Sequence, residues 1–165
     1  MQLQHILPQI TPLAIEWAQA RSAEILAVGE SLTPAEIELA SQMGVNRPEL
    51  VRLLMVDRLP MPESPMLAQA AMGTGLLGPG IVGLTLGYGI YICRGHRTTQ
   101  LVSHECRHVY QYEQAGSIGA FLGVYLQQIA QHGYARAPLE IDAYSHQVTV
   151  WGRLRKRKIK HAKPK

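Results

Sequence analysis

Apolar positions recur at three- and four-residue spacing through most of the chain, and the runs are separated by helix caps, glycines and prolines. Thr11-Pro12 reads as an N-cap with proline at the first helical position. It predicts a helix to about Val28 with Gly29 closing it. Thr33 and Glu36 form a capping box for a second helix that ends near Met43, before Gly44. "PELVRLLMVD" from Pro48 predicts a third helix, stopped by Pro60 and Pro62. Later, a helix is expected over about Thr98 to Ala115, and another from Ser117 to His132-Gly133. In the second of these, Ile118, Phe121, Leu122, Tyr125, Leu126 and Ile129 share one face. Pro138 opens a last helix, "PLEIDAYSHQVTVWGRL".

The middle breaks this pattern. Residues 64–93 carry no charge, a length that could span a bilayer. Seven glycines and Pro79 fall between Gly73 and Gly89, and they would weaken a lone spanning helix. "LTLGYGIYI" has the β-branched and aromatic residues of a strand. The segment therefore predicts a buried glycine-rich loop and a β-hairpin. The fold class that follows is α+β: a mainly helical domain with a small β-sheet or hairpin from the glycine-rich middle.

Composition narrows the class further. The chain has 165 residues, 47% hydrophobic and 17% charged, which suits one globular domain over residues 1–152. Two cysteines, Cys93 and Cys106, are too few for a disulfide framework. The N-terminus lacks a basic stretch ahead of an apolar core, so a cytoplasmic protein is expected. The net charge of +4 is unevenly placed. Residues 151–165 hold eight Lys/Arg and no acid, and every lysine of the chain lies there. The remaining eight arginines stand against twelve acids, so residues 1–150 sum to −4. Residues 153–165 read as a basic, disordered tail, with contact to an anionic membrane surface or to nucleic acid as its suggested role.

The chemistry-bearing stretch is "LVSHECRHVYQYE", residues 101–113. On a helix His104 and His108 lie about 40° apart on one face, so both imidazoles can bind a single metal ion. Glu105 then sits beside the metal without being a ligand, placed to take the proton from a zinc-bound water. Apolar flanks (Leu101, Val102, Val109) predict a buried helix, on which two histidines and a glutamate without partners would be costly. A third ligand is required. Glu140 in the first turn of the last helix is the leading candidate, because Ala143 lets that helix approach closely. Asp142 is the alternative, and His132 and His146 are weaker ones. Glu113 points about half a turn away from the histidine face. Tyr134 and Tyr144 are candidate oxyanion stabilisers. Cys106 reads as a small buried apolar residue.

"HECRH" followed by "APLEIDAY" resembles the gluzincin group of zinc metallopeptidases, over roughly residues 85–147. The resemblance implies a zincin-like domain with Zn2+ as cofactor, His104, His108 and Glu140 as its ligands, Glu105 as the catalytic base, and a peptide or protein as substrate. Tyr144 stands where the family pattern has an aspartate. Two other readings compete with a zinc-dependent peptidase. One is a catalytically inactive, zinc-stabilised domain. The other is a helix-turn-helix DNA-binding regulator with a basic tail, suggested by the spacing of Ala40, Gly44 and Leu50.

Overall fold

A computed structural model describes residues 3–149. The basic stretch from Arg153 onward lies outside the described residues. Six helices surround one four-stranded sheet. The helices are α1 (Leu3–Val28), α2 (Pro34–Gln42), α3 (Pro65–Thr74), α4 (Thr99–Ala115), α5 (Ile118–His132) and α6 (Pro138–His146). The strands are β1 (Glu30–Ser31), β2 (Arg52–Val56), β3 (Gly83–Leu86) and β4 (Gly89–Cys93). Their order in the sheet is β1-β2-β4-β3. The architecture is α+β, and among the described residues no helix is long and apolar enough to cross a membrane.

The hairpin expected in the glycine-rich middle is β3–β4, with Leu86 opposite Gly89 across the turn. Gly87 there has φ +66°, the left-handed backbone that a two-residue hairpin turn demands. β4 is buried along its whole length. It sends Tyr91 to the core formed with α1, α3 and α5, and Ile90 and Ile92 to the core formed with α2 and α4. The sheet thus has helices on both faces, and β3 is its outer strand beside α4.

Three sequence expectations are corrected. "RLLMV" is strand β2, preceded by a 3-10 turn at Pro48–Leu50. It pairs in parallel with β4, Leu53 against Ile90, and that pairing overrides the helical spacing of its leucines. No recognition helix therefore follows α2, and the helix-turn-helix geometry is not formed. α1 begins at Leu3 and carries Pro8 and Pro12 inside it. Each interior proline costs about 3 kcal/mol. Ile10 in the core, with Leu3, Ile6 and Leu7 packed against it, offsets that cost. The first part of the glycine-rich segment is also helical. Ser64 caps the Leu67 amide and Pro65 opens α3, which closes at Gly75 with φ +81°.

α6 is shorter than expected and ends at His146. Its own N-cap residue, Ala137, offers no side-chain acceptor, and Gln128 of α5 caps the Leu139 amide instead at 3.0 Å. The chain after α6 is tied back to α4, where the Val148 amide donates to Ser103 Oγ at 2.8 Å.

Candidate metal centre

α4 runs through the middle of the molecule because its sequence is amphipathic and capped at both ends. Thr98 accepts from the Leu101 amide, and Gly116 closes the helix in a left-handed conformation. The buried face carries polar residues: Ser103, His104, Glu105, His108 and Gln111. Glu140 of α6 is fully buried opposite them. The ligating atoms of His104, His108 and Glu140 all lie within 4.8 Å of one another.

Their geometry fits a metal ion. The two Nε2 atoms are 3.2 Å apart, and Glu140 oxygens lie 3.6 Å from His104 Nε2 and 3.3 Å from His108 Nε2. Ligands at about 2.0–2.1 Å around a tetrahedral ion stand about 3.3–3.4 Å from one another. The histidine edge matches that spacing, and the carboxylate offers Oε2 to the His104 side and Oε1 to the His108 side. Glu140 Oε2 is buried and accepts no hydrogen bond. A fully buried carboxylate oxygen without a donor is costly, and a cation removes that cost. Two imidazoles and one carboxylate are a donor set suited to zinc.

Surrounding groups orient two of the three candidate ligands, His108 and Glu140, whereas His104 Nδ1 is buried without a hydrogen-bond partner. His108 Nδ1 donates to Gln111 Oε1 at 2.8 Å. The Gln111 amide is itself fixed, since its Nε2 donates to Leu139 O at 2.9 Å and to Asp142 Oδ2 at 2.8 Å. Gln111 must therefore present its oxygen to His108, which places the proton on Nδ1 and the lone pair on Nε2, toward Glu140. Arg107 grips both oxygens of Asp142, at 2.7 and 3.1 Å. Tyr125 of α5 donates to Glu140 Oε1 at 2.5 Å. Its ring is aligned by stacking on Phe121, which stacks in turn on Tyr112.

The charges agree with this arrangement. Burial alone would raise the Glu140 pKa, but the adjoining His104 and His108 imidazoles and the Tyr125 hydroxyl outweigh it and hold the carboxyl well below the usual range. Burial disfavours a charge on His108, yet the Glu140 carboxylate beside it lifts its pKa above the ordinary value. Burial and the Glu140 charge push the Tyr125 and Tyr134 phenols far up, so both stay protonated donors.

Glu105 is held away from the triangle by the sheet. Thr85 Oγ1 donates to its Oε2 at 2.7 Å and also lies 3.1 Å from its backbone carbonyl. On the other side Glu105 presses against Gly83, where any β-carbon would run into the carboxylate. Gly83 is therefore glycine because Glu105 occupies its side-chain space. Glu105, His104, Tyr134 and Tyr144 share the wall of an open cleft of about 250 Å3, with Gly80, Val82 and Thr98 on its rim.

The candidate residues thus divide. His104, His108 and Glu140 come together, with Glu105 and Tyr134 on the adjoining cleft. Tyr144 is half-exposed, with its ring centroid 4.6 Å from that of His104. Asp142 faces Arg107 and Gln111 instead of joining the ligand group, and exposed His132 and His146 do not join it either. Glu113 accepts from the Asn46 and Arg47 amides and the Tyr88 hydroxyl, away from the triangle. Cys106 is buried in the core on the α2 side, its thiol pushed up to about 12 by burial and the nearby Glu105 charge.

Gln111, Tyr125, Thr85 and Gly83 were not legible as site residues in the pattern. Gln111 had a signal, since it follows His108 by three positions and so lies one turn along the same face. Tyr125 had a weaker one, a hydroxyl on an otherwise apolar face. Thr85 and Gly83 had none, because only the fold brings the outer strand against α4. Comparison with known proteins finds no matching family model, no matching curated protein and no matching solved structure.

Proposed function

We propose that His104, His108 and Glu140 hold a zinc ion and that the protein hydrolyses an amide bond, in the first instance a peptide bond. The observation that carries this reading is the ligand triangle itself. Three buried donors from α4 and α6 have their ligating atoms within 4.8 Å of one another, and a carboxylate follows the first of them in the chain. Zinc in such a site acts as a Lewis acid and lowers the pKa of water to about 7.

The chain's own residues supply the remaining chemistry. Glu105 stands on the cleft with its Oε2 held by Thr85, so its position is fixed before substrate arrives. There it accepts the proton of the attacking water and returns it to the leaving nitrogen. Tyr134, protonated and on the same cleft, donates a hydrogen bond to the oxygen that gains charge as the carbonyl is attacked. Burial of the triangle excludes bulk water and strengthens each of these contacts.

Glu105→Gln tests the reading. The variant keeps shape and hydrogen-bonding capacity, so it should bind one zinc ion per chain and melt as the wild type does. Cleavage of an unstructured peptide library should fall by about 10²–10⁴-fold, the usual contribution of a general base. Unchanged cleavage would assign the proton transfer to another group. A wild-type protein that binds zinc and cuts no peptide or other amide would leave a metal-stabilised domain.

A further inference from the structure

A second cavity, of about 90 Å3, begins at the metal centre and runs into the apolar core. It shares Ile81, Gly83, His104, Glu105 and Tyr134 with the open cleft, so cleft and cavity meet at the ligand triangle. Away from that meeting point its walls are formed by α1, α3 and α5 together with β3 and Tyr112 of α4, and the charged residues on its wall are Glu105 and Glu140, both at the metal end. Along α1 the lining residues extend from Leu3 to Ala18, fifteen residues apart and so about 22 Å. The volume is small for that length, which makes the cavity a slender, partly open bore.

Shape and chemistry select the occupant. A slender apolar space favours an extended run of methylenes over rings and branched groups. Unfilled, it forfeits dispersion contacts along its whole length, and an apolar cavity of this type takes up apolar molecules and not water. Entry is also provided for. The connection between α3 and β3, residues 75–82, lies over the junction, with Leu76, Leu77 and Ile81 on the cavity wall. Its glycines Gly75, Gly78 and Gly80 have open space where a side chain would be, so packing does not demand them there. They leave this segment free to yield as a chain enters.

We infer that the bore binds one unbranched alkyl chain, with the polar group at the head of that chain lying at the His104–His108–Glu140 centre. This deepens the hydrolase reading by naming its substrate class, an amide bearing a linear acyl chain such as a lipid-modified peptide. It rests on that reading only for the fate of the head group. There the C–N bond of the amide breaks, the hydroxyl of water goes to the acyl carbon, and its proton, carried by Glu105, goes to the leaving nitrogen.

Calorimetry of the full chain with N-octanoyl-, N-decanoyl- and N-lauroylglycine, below their micelle concentrations, tests the bore. Each added methylene should tighten binding about fourfold. A caged analogue, N-(adamantane-carbonyl)glycine, should bind at least tenfold more weakly than a linear probe of similar carbon number. Ala18→Phe and Ala71→Phe place a ring on the wall from α1 and α3, and each should flatten the length dependence. If neither variant folds, the linear and caged probes on the wild type decide alone. Affinity independent of chain length, or equal binding of the caged probe, overturns the proposal. Repeating the series after chelation separates the two readings. A length dependence that survives without metal sustains the bore on its own, whereas a flat series in a protein that still binds zinc and cuts peptides removes the bore and leaves the hydrolase.

Discussion

Gln111 holds His108 through a 2.8 Å hydrogen bond to Nδ1, and both residues stand one turn apart on the same helix. The ligand and the group that sets its tautomer are thus placed by one stretch of backbone. Asp142 and Arg107 complete the chain of contacts from α6 back to α4. Gln111→Leu removes the acceptor and leaves the fold of α4 intact. Zinc affinity should fall about 10–100-fold, measured by competition with a chromophoric chelator. Gln111→Glu keeps an acceptor for Nδ1 but sets a carboxylate against Leu139 O and Asp142, so it should recover little of the loss. Equal affinity in all three proteins would mean that the histidine needs no support.

Tyr125 gives the corresponding prediction for the carboxylate. Tyr125→Phe deletes a hydroxyl that donates to Glu140 Oε1 and keeps the aromatic stack with Phe121. Zinc affinity should drop about tenfold or more. The metal-free variant should lose about 1–3 kcal/mol, because a second oxygen of a buried carboxylate is left without a donor. Melting curves with and without zinc check both parts.

Gly83→Ala addresses the base separately from the metal. The new β-carbon would collide with the Glu105 carboxylate, which must move. Peptide cleavage should fall by at least tenfold while zinc stoichiometry stays at one per chain. Loss of zinc together with activity would show that Gly83 supports the ligands and not the base.

Acid stability should depend on a pair far from the centre. Arg97 bridges Glu30 of β1 and Glu36 of α2, with contacts of 2.8–3.0 Å. The Arg97 hydrogen bond, assisted by Thr33, holds the Glu36 pKa below its ordinary value of 4.5. A carboxyl depressed in the folded state stabilises the fold above its ordinary pKa, and that contribution is lost as pH falls through the folded value. Denaturant midpoints of the wild type should therefore decline as the pH drops below about 4.5. In Glu36→Gln the decline should be shallower and the midpoint at neutral pH lower.

How far the sequence led depends on where each signal lived. The histidine pair, Glu105 and the capping of α2, α4 and α5 were readable because their partners lie within one or two turns. Glu140 was nameable as a candidate because proline and alanine mark its helix. What places it with the histidines, the approach of Tyr125 and both imidazoles, depends on packing among three helices. β2 was misread for the same reason. Arg52 to Val56 is compatible with either state locally, and its parallel neighbour β4 lies more than thirty residues away.

α6 buries only two side chains, Ala143 and the ligand Glu140, so apolar packing holds it weakly. Its attachment to the body runs instead through polar links: Gln111 and Arg107 to its backbone and Asp142, and Glu140 into the triangle. Local unfolding of this last helix is therefore coupled to metal occupancy. Chelation should speed amide hydrogen exchange over Pro138–His146 well before it speeds exchange in β4, which is packed on both faces. Under the proposed zinc assignment the ion would clasp α6 to the body as well as serve the chemistry, and its removal would expose that helix to proteolysis first.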